Sequence, residues 1–114
     1  MRRYRDVDLP APAELGVRDG LAYALYLPDG PARGGVVILH GAGSCKESHF
    51  DFARLCRAAG LAAVSFDMRG HGDSEGRLGA GAIDDVRTMA GVLPPGPLLL
   101  RGSSMGGYLA LAAA

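Results

Sequence analysis

Leu98-Leu99-Leu100-Arg101-Gly102-Ser103-Ser104-Met105-Gly106-Gly107-Tyr108-Leu109-Ala110-Leu111 is the stretch on which the reading of this chain turns. Leu98 to Leu100 is a short apolar run of the kind that forms a buried parallel strand. Gly102 to Gly106 then fits the pattern G-x-S-x-G. Tyr108, Leu109, Leu111 and the alanines 110, 112, 113 and 114 predict a helix. The five-residue pattern alone recurs by chance. Between a strand and a helix it has a mechanical meaning. A serine at the apex of so sharp a turn sits in a strained backbone. Side chains two residues to either side would collide, so Gly102 and Gly106 leave room, and Gly107 extends that clearance. Ser103 does not fit, because Arg101 and Met105 flank it at that distance. Ser104 is the candidate nucleophile. A helix starting at Met105 brings unpaired N–H groups and a positive dipole end beside the serine oxygen. That is where an oxyanion develops in acyl transfer.

Composition bounds the rest. With 114 residues, 48% apolar and 21% charged, the chain is globular and at most one domain. Formal net charge is zero and there is no basic stripe, so nothing argues for a nucleic-acid or anionic-membrane partner, and none is expected. Arg2, Arg3 and Arg5 form the largest basic cluster and read as a solvated arm. No apolar run is long enough for a membrane span, and no apolar segment follows those arginines as in a signal peptide. The expected location is cytoplasmic. Cys45 and Cys56 fit no metal or redox spacing and are expected as free thiols. No metal or cofactor is implied.

Going outward from the serine turn, residues 1–12 read as an irregular lead-in with Pro10 and Pro12. Ala13 to Arg18 and Leu21 to Leu27 predict two strands joined at Asp19-Gly20, a strong hairpin signal that places them at a sheet edge. Val36 to Leu39 is a continuous apolar run suited to a strand buried on both faces. It leads into His40-Gly41-Ala42-Gly43-Ser44. Ser44 and Glu47 have capping-box spacing, with Ser48 an alternative start. Phe52, Leu55, Cys56 and Ala59 then predict one apolar helix face, and Gly60 a C-cap. Leu61 to Phe66 predicts the next strand, followed by the polar, glycine-rich loop Asp67 to Gly76. Ile83, Val86, Ala90 and Leu93 mark a second helix face with Asp84, Asp85 and Arg87 outside it, stopped by Pro94 and Pro95. Alternating strands and helices of these lengths predict a mostly parallel sheet in a three-layer αβα sandwich, with an N-terminal antiparallel hairpin.

Three loops therefore meet at the C-terminal ends of three successive parallel strands, the edge where open α/β sheets bind ligands. An apolar strand running into His40-Gly41-Ala42-Gly43, then Asp67-Met68-Arg69-Gly70-His71-Gly72-Asp73-Ser74, then Gly102-Ser103-Ser104-Met105-Gly106-Gly107, in this order, resembles the N-terminal half of an α/β-hydrolase. The nearest group is the serine aminopeptidase and monoacylglycerol-lipase-like one. The resemblance covers residues 13 to 114. It implies Ser104 as nucleophile and the backbone N–H of Met105 as one oxyanion donor. It implies the N–H of Ala42 as the second, with Gly43 as the fallback. His40 would orient the oxyanion loop by hydrogen bonding and would not be the base, with Gly41, Gly43, Gly102 and Gly106 supporting. Asp67, Arg69 and His71 read as residues that brace the turn after their strand. His49 reads as a helix-surface histidine, and Ser44 and Cys45 as neighbours of the pocket.

A serine hydroxyl is a poor nucleophile without a base. The family's triad runs serine, then acid, then histidine along the chain. No acidic residue or histidine follows Ser104, and all three histidines precede it. The chain is accordingly expected to be a single partial domain that is truncated after the nucleophile turn and inactive by itself. Its missing sheet neighbour would leave Leu98 to Leu100 as an apolar edge, completed by a C-terminal half or by self-association. The function expected of the lineage is hydrolysis of small-molecule carboxylic esters through a serine acyl-enzyme. Peptidase, thioesterase and acyltransferase are the alternatives on the same fold, and an inactive binding or scaffold module is the alternative of another class. A dinucleotide-binding reading fails, because no G-x-G-x-x-G follows the first parallel strand.

Overall fold

A computed structural model describes residues 9–103 and 105–113. Five strands form one sheet in the order β1-β2-β4-β3-β5. β1 (Glu14–Arg18) and β2 (Leu21–Tyr26) form the expected antiparallel hairpin. Asp19 and Gly20 between them both take positive φ, 52° and 78°, the two-residue turn whose twist matches that of its strands. β2 lies antiparallel to β4 (Ala62–Phe66). β3 (Gly35–Leu39) lies parallel to β4 on one side and to β5 (Leu98–Gly102) on the other.

Helices cover both faces. α1 (Phe50–Ala58), entered through a short 3-10 turn at Lys46–His49, packs with Ala53 and Cys56 on Ala24, Tyr26, Val36, Ile38 and Ala63. α2 (Ala82–Ala90) and α3 (Met105–Ala113) lie on the other face, over Leu21, Tyr23, Leu25, Val37, Leu39, Val64 and Phe66. This is the three-layer sandwich that the alternation of elements predicts. Strict period-two alternation along β2 and β3 feeds the two cores in turn.

Several local expectations are corrected. Ser44 and Glu47 form no capping box. The 3-10 turn begins after Cys45 with no side-chain cap, and Ser44 instead pairs with the Ser48 hydroxyl at 2.7 Å. The apolar face of α1 is rotated from the predicted one. Leu55 is 67% exposed and Ala59 is exposed, whereas Ala53 and Cys56 are buried. Small residues let the helix approach the sheet, and the larger leucine is left outside. Gly60 does end α1, at φ +85°, with Leu61 N–H reaching back to the Cys56 carbonyl and Gly60 N–H to that of Arg57. α2 stops at Gly91, before Pro94, and its inward face is Ala82, Asp85, Val86 and Met89. Asp85 was expected outside. It is buried because Arg69 forks onto it, at 3.0 and 3.1 Å. Leu98 and Leu99 are not buried. They are 49% and 58% exposed, since β5 has no second neighbour among the described residues.

Candidate active site

The three loops meet at one edge as expected, and the reason is topological. β4, β3 and β5 are adjacent and parallel, so their C-terminal ends lie side by side. Ser104 itself lies outside the described residues, but its frame does not. β5 ends at Gly102, α3 begins at Met105, and Ser103 N–H donates to the Leu39 carbonyl at 3.1 Å, tying the turn to β3. A Cβ on Gly102 would overlap the Gly106 carbonyl, and one on Gly106 would overlap the Leu39 and His40 carbonyls. Those obstacles are backbone and cannot rotate away. The clearance inferred from the sequence is a real steric demand at both positions. At Gly107 a Cβ would stand 3.4 Å from the nearest atom, an ordinary contact. The clearance assigned to Gly107 is therefore not required.

The loop after β3 is anchored by the loop after β4. His40 is fully buried. Its Nε2 accepts the Met68 N–H at 3.0 Å and its Nδ1 lies 2.7 Å from the Gly41 carbonyl, which assigns the proton to Nδ1. Burial holds its pKa below the usual imidazole range. His71 is arranged in the same way. Its Nε2 accepts the Gly43 N–H at 3.1 Å and its Nδ1 faces the Arg69 carbonyl at 3.1 Å. The two rings lie 4.9 Å apart. Every nitrogen of both rings is thus engaged, and neither has a lone pair left to take a serine proton. His40 ties the loop after β3 to the loop after β4, and His71 ties its own loop back to the loop after β3.

Asp67 braces most heavily. Its buried carboxylate accepts the Lys46 N–H at 2.6 Å, the Lys46 ammonium at 2.8 Å and the Asp73 N–H at 3.0 Å. Desolvation would raise its pKa, but the Lys46 ammonium and these N–H groups outweigh it and hold the carboxyl below its ordinary range. Lys46, which the sequence did not single out, is 5% exposed and also meets Glu47 at 3.0 Å and Asp73 at 3.1 Å. Burial opposes its charge, and the three carboxylates together overcome that and raise its pKa. No local pattern marks this lysine. Only the fold brings Asp67 to it. Ser65 adds a further tie by donating to the Lys46 carbonyl at 2.8 Å.

The candidate donors can now be compared. Gly43 N–H is taken by His71, so the fallback donor is occupied. Ser44 N–H is taken by the Gly41 carbonyl at 3.1 Å. Ala42 is exposed, and its N–H has no acceptor among the described residues. Met105 opens α3, and the first N–H groups of a helix have no partner within it. His49 is half-buried beside α1, and burial followed by the charge of Arg101 lowers its pKa. Cys45 and Cys56 are free thiols. Cys56 is buried, which pushes its pKa up. No cluster of metal-ligating side chains occurs among the described residues, and none of their helices is long and apolar enough to cross a membrane.

A strand, a glycine-cleared turn and a helix beside a braced His-Gly loop on a mostly parallel sheet are the hallmarks of the α/β-hydrolase class. Its solved members include an α/β serine hydrolase without a lid from Xanthomonas campestris, similar at TM-score 0.74 and 28% identity over 92% of this chain and 58% of that one. A monoacylglycerol lipase from Paleococcus ferrophilus is similar at TM-score 0.69 and 30% identity, over 82% of this chain and 37% of that one. Within the class, residues 30–114 match the serine aminopeptidase S33 family, and the chain belongs to it. A monoacylglycerol lipase of Mycolicibacterium smegmatis is 34% identical over 106 residues, and the matched stretch spans 37% of that protein's length.

Proposed function

We propose that this chain carries the nucleophile and oxyanion half of a serine hydrolase acting on small carboxylic esters, with monoacylglycerols the nearest substrate class by likeness to its relatives. Ser104 attacks the ester carbonyl. The N–H groups of Met105 and Ala42 stabilise the resulting oxyanion. The alcohol leaves, and water then hydrolyses the acyl-enzyme. The observation that carries the reading is the backbone overlap that any side chain at Gly102 or Gly106 would meet. Clearance at both positions lets the strand and helix close on each other, which is the frame a nucleophile turn requires. Peptidase, thioesterase and acyltransferase chemistry need the same parts, and the monoacylglycerol-lipase relatives favour the ester.

Acting alone, these residues hydrolyse esters poorly. His40 and His71 are committed to backbone partners, and no acid or histidine follows Ser104. Loss of triad members costs up to about six orders of magnitude in kcat. The oxyanion donors and binding leave roughly a thousandfold over water. The test is labelling by a fluorophosphonate probe together with p-nitrophenyl butyrate turnover. Slow labelling that disappears in Ser104→Ala, with little turnover, is the expected result. Labelling that persists in Ser104→Ala overturns the nucleophile. Fast turnover by the chain alone would require a base other than His40 or His71.

A further inference from the structure

The loops after β3 and β4 are stitched together at every third residue. His40, Gly43 and Lys46 of the first are held by Met68, His71 and Asp67 of the second. At the middle stitch a backbone N–H of the first loop donates to an imidazole nitrogen, 3.1 Å away. That imidazole is fixed from behind. Its Nδ1 faces the Arg69 carbonyl at 3.1 Å, and the Arg69 guanidinium forks onto Asp85 of α2 while donating to the Asp19 carbonyl of the hairpin turn at 2.9 Å. The ring is held against rotation by contacts reaching two other elements of the fold.

A loop of small residues has several N–H groups in succession, and which one serves an anion depends on which are already committed. Here Ala42, Gly43 and Ser44 offer three. Ser44 N–H is spent on Gly41 and Gly43 N–H on His71, leaving Ala42. We propose that His71 is a positioning residue that selects the Ala42 N–H as the loop's anion donor, by binding the Gly43 N–H and so fixing the peptide between them. Its catalytic meaning rests on the hydrolase reading above, whereas the loop geometry itself does not involve Ser104. The function resides in the acceptor atom and not in the bulk of the ring. Glutamine at this position can offer its Oε1 to the Gly43 N–H, whereas phenylalanine fills the space and accepts nothing.

The experiment begins with NMR on the ¹⁵N-labelled chain. A through-hydrogen-bond coupling between the Gly43 amide nitrogen and His71 Nε2 is expected, with slow amide exchange at Gly43 and fast exchange at Ala42. In His71→Phe, Gly43 exchange rises to that of Ala42, and in His71→Gln it stays slow. Absence of the coupling overturns the proposal, as does protection of Gly43 that survives His71→Phe. The amides of Val37 and Ile38 in β3 report whether each variant is folded. If the phenylalanine variant is not, the wild-type coupling and the glutamine variant decide. Fluorophosphonate labelling supplies the functional readout. It should slow about tenfold in His71→Phe, less than the 10²–10³ lost when a donor is deleted outright, and recover in His71→Gln. Labelling as fast in His71→Phe as in the wild type overturns the positioning role even with the coupling present. Labelling retained by Ser104→Ala overturns the hydrolase reading and leaves the coupling result standing, so the two failures are distinct.

Discussion

At the scale of single residues, the glycines on either side of Ser104 make unequal demands. Gly102 and Gly106 face backbone atoms that a Cβ would overlap, while Gly107 does not. Relieving an overlap with backbone means moving a strand or a helix, so Gly102→Ala and Gly106→Ala should each destabilise by about 1–3 kcal/mol or more. Gly107→Ala should be neutral or stabilise by about 0.5–1 kcal/mol, because it removes a flexible glycine from a helix. Chemical denaturation of the three variants checks this, and equal losses at all three positions would refute the steric account. The glycines were legible in the sequence because a spacing of two around a serine is a local pattern. Lys46 was not. A lysine in a polar loop reads as solvated, and its burial is decided by Asp67, which is 21 residues away in sequence and adjacent only after β3 and β4 have paired.

At the scale of elements, the strands and helices followed from hydrophobic runs and turn residues, whereas the helix faces did not follow as well. On α1, leucine weighs more than alanine in any periodicity argument, yet Ala53 packs inside and Leu55 points out. Close approach to the sheet favours the smaller side chain, and sequence periodicity does not register distance to a partner. On α2, an aspartate expected in solvent is buried because Arg69 comes from another loop to meet it. The paired loops carry the stability prediction at this scale. Asp67→Asn leaves the Lys46 ammonium buried with only Glu47 and Asp73 to meet it, both well exposed. Breaking a buried pair costs about 3–5 kcal/mol, and those remaining partners favour the lower end. The pH dependence has two parts. The Asp67 pKa is lowered in the folded chain, so its contribution is complete above the unfolded value of about 3.9 and is lost as pH falls through the lower folded one. His40 is also lowered, by burial, so its contribution is complete above about 6.5 and is lost as pH falls through its folded value. Melting temperature followed from pH 8 to about pH 2 should fall in two stages, and Asp67→Asn should remove the lower one. A melting temperature that stays flat from pH 6.5 down to pH 4 would contradict the burial of a neutral His40.

At the scale of the whole molecule, the two edges of the sheet differ in their charge and in the surface beside them. Among the described residues β1 forms one edge and β5 the opposite one. The β1 edge also exposes apolar side chains, Leu15 and Val17, but Glu14 and Arg18 at its two ends place charges that discourage pairing with another chain. β5 is different. Leu98 and Leu99 are about half exposed, a groove of about 740 Å³ runs between the strand and Leu111 of α3, and a second of about 450 Å³ lies on the other face beside Phe52 and Leu61. Arg101 is the one charge on the strand, and its guanidinium stacks 3.9 Å from the Phe52 ring centroid. The edge therefore offers unpaired backbone groups flanked by apolar surface on both sides, the combination that draws another strand. Covering it removes leucine surface from water at roughly 25 cal/mol per Å² and satisfies the backbone groups as well. The chain alone is expected to associate through β5 at tens of micromolar. Leu99→Lys should weaken that association without unfolding the chain, because it places a charge on the edge at a position that is already 58% exposed. Sedimentation velocity across a concentration series measures both. A sharp monomer at the highest concentration would show that β5 does not recruit a strand. Association unchanged by Leu99→Lys would move the interface to another surface.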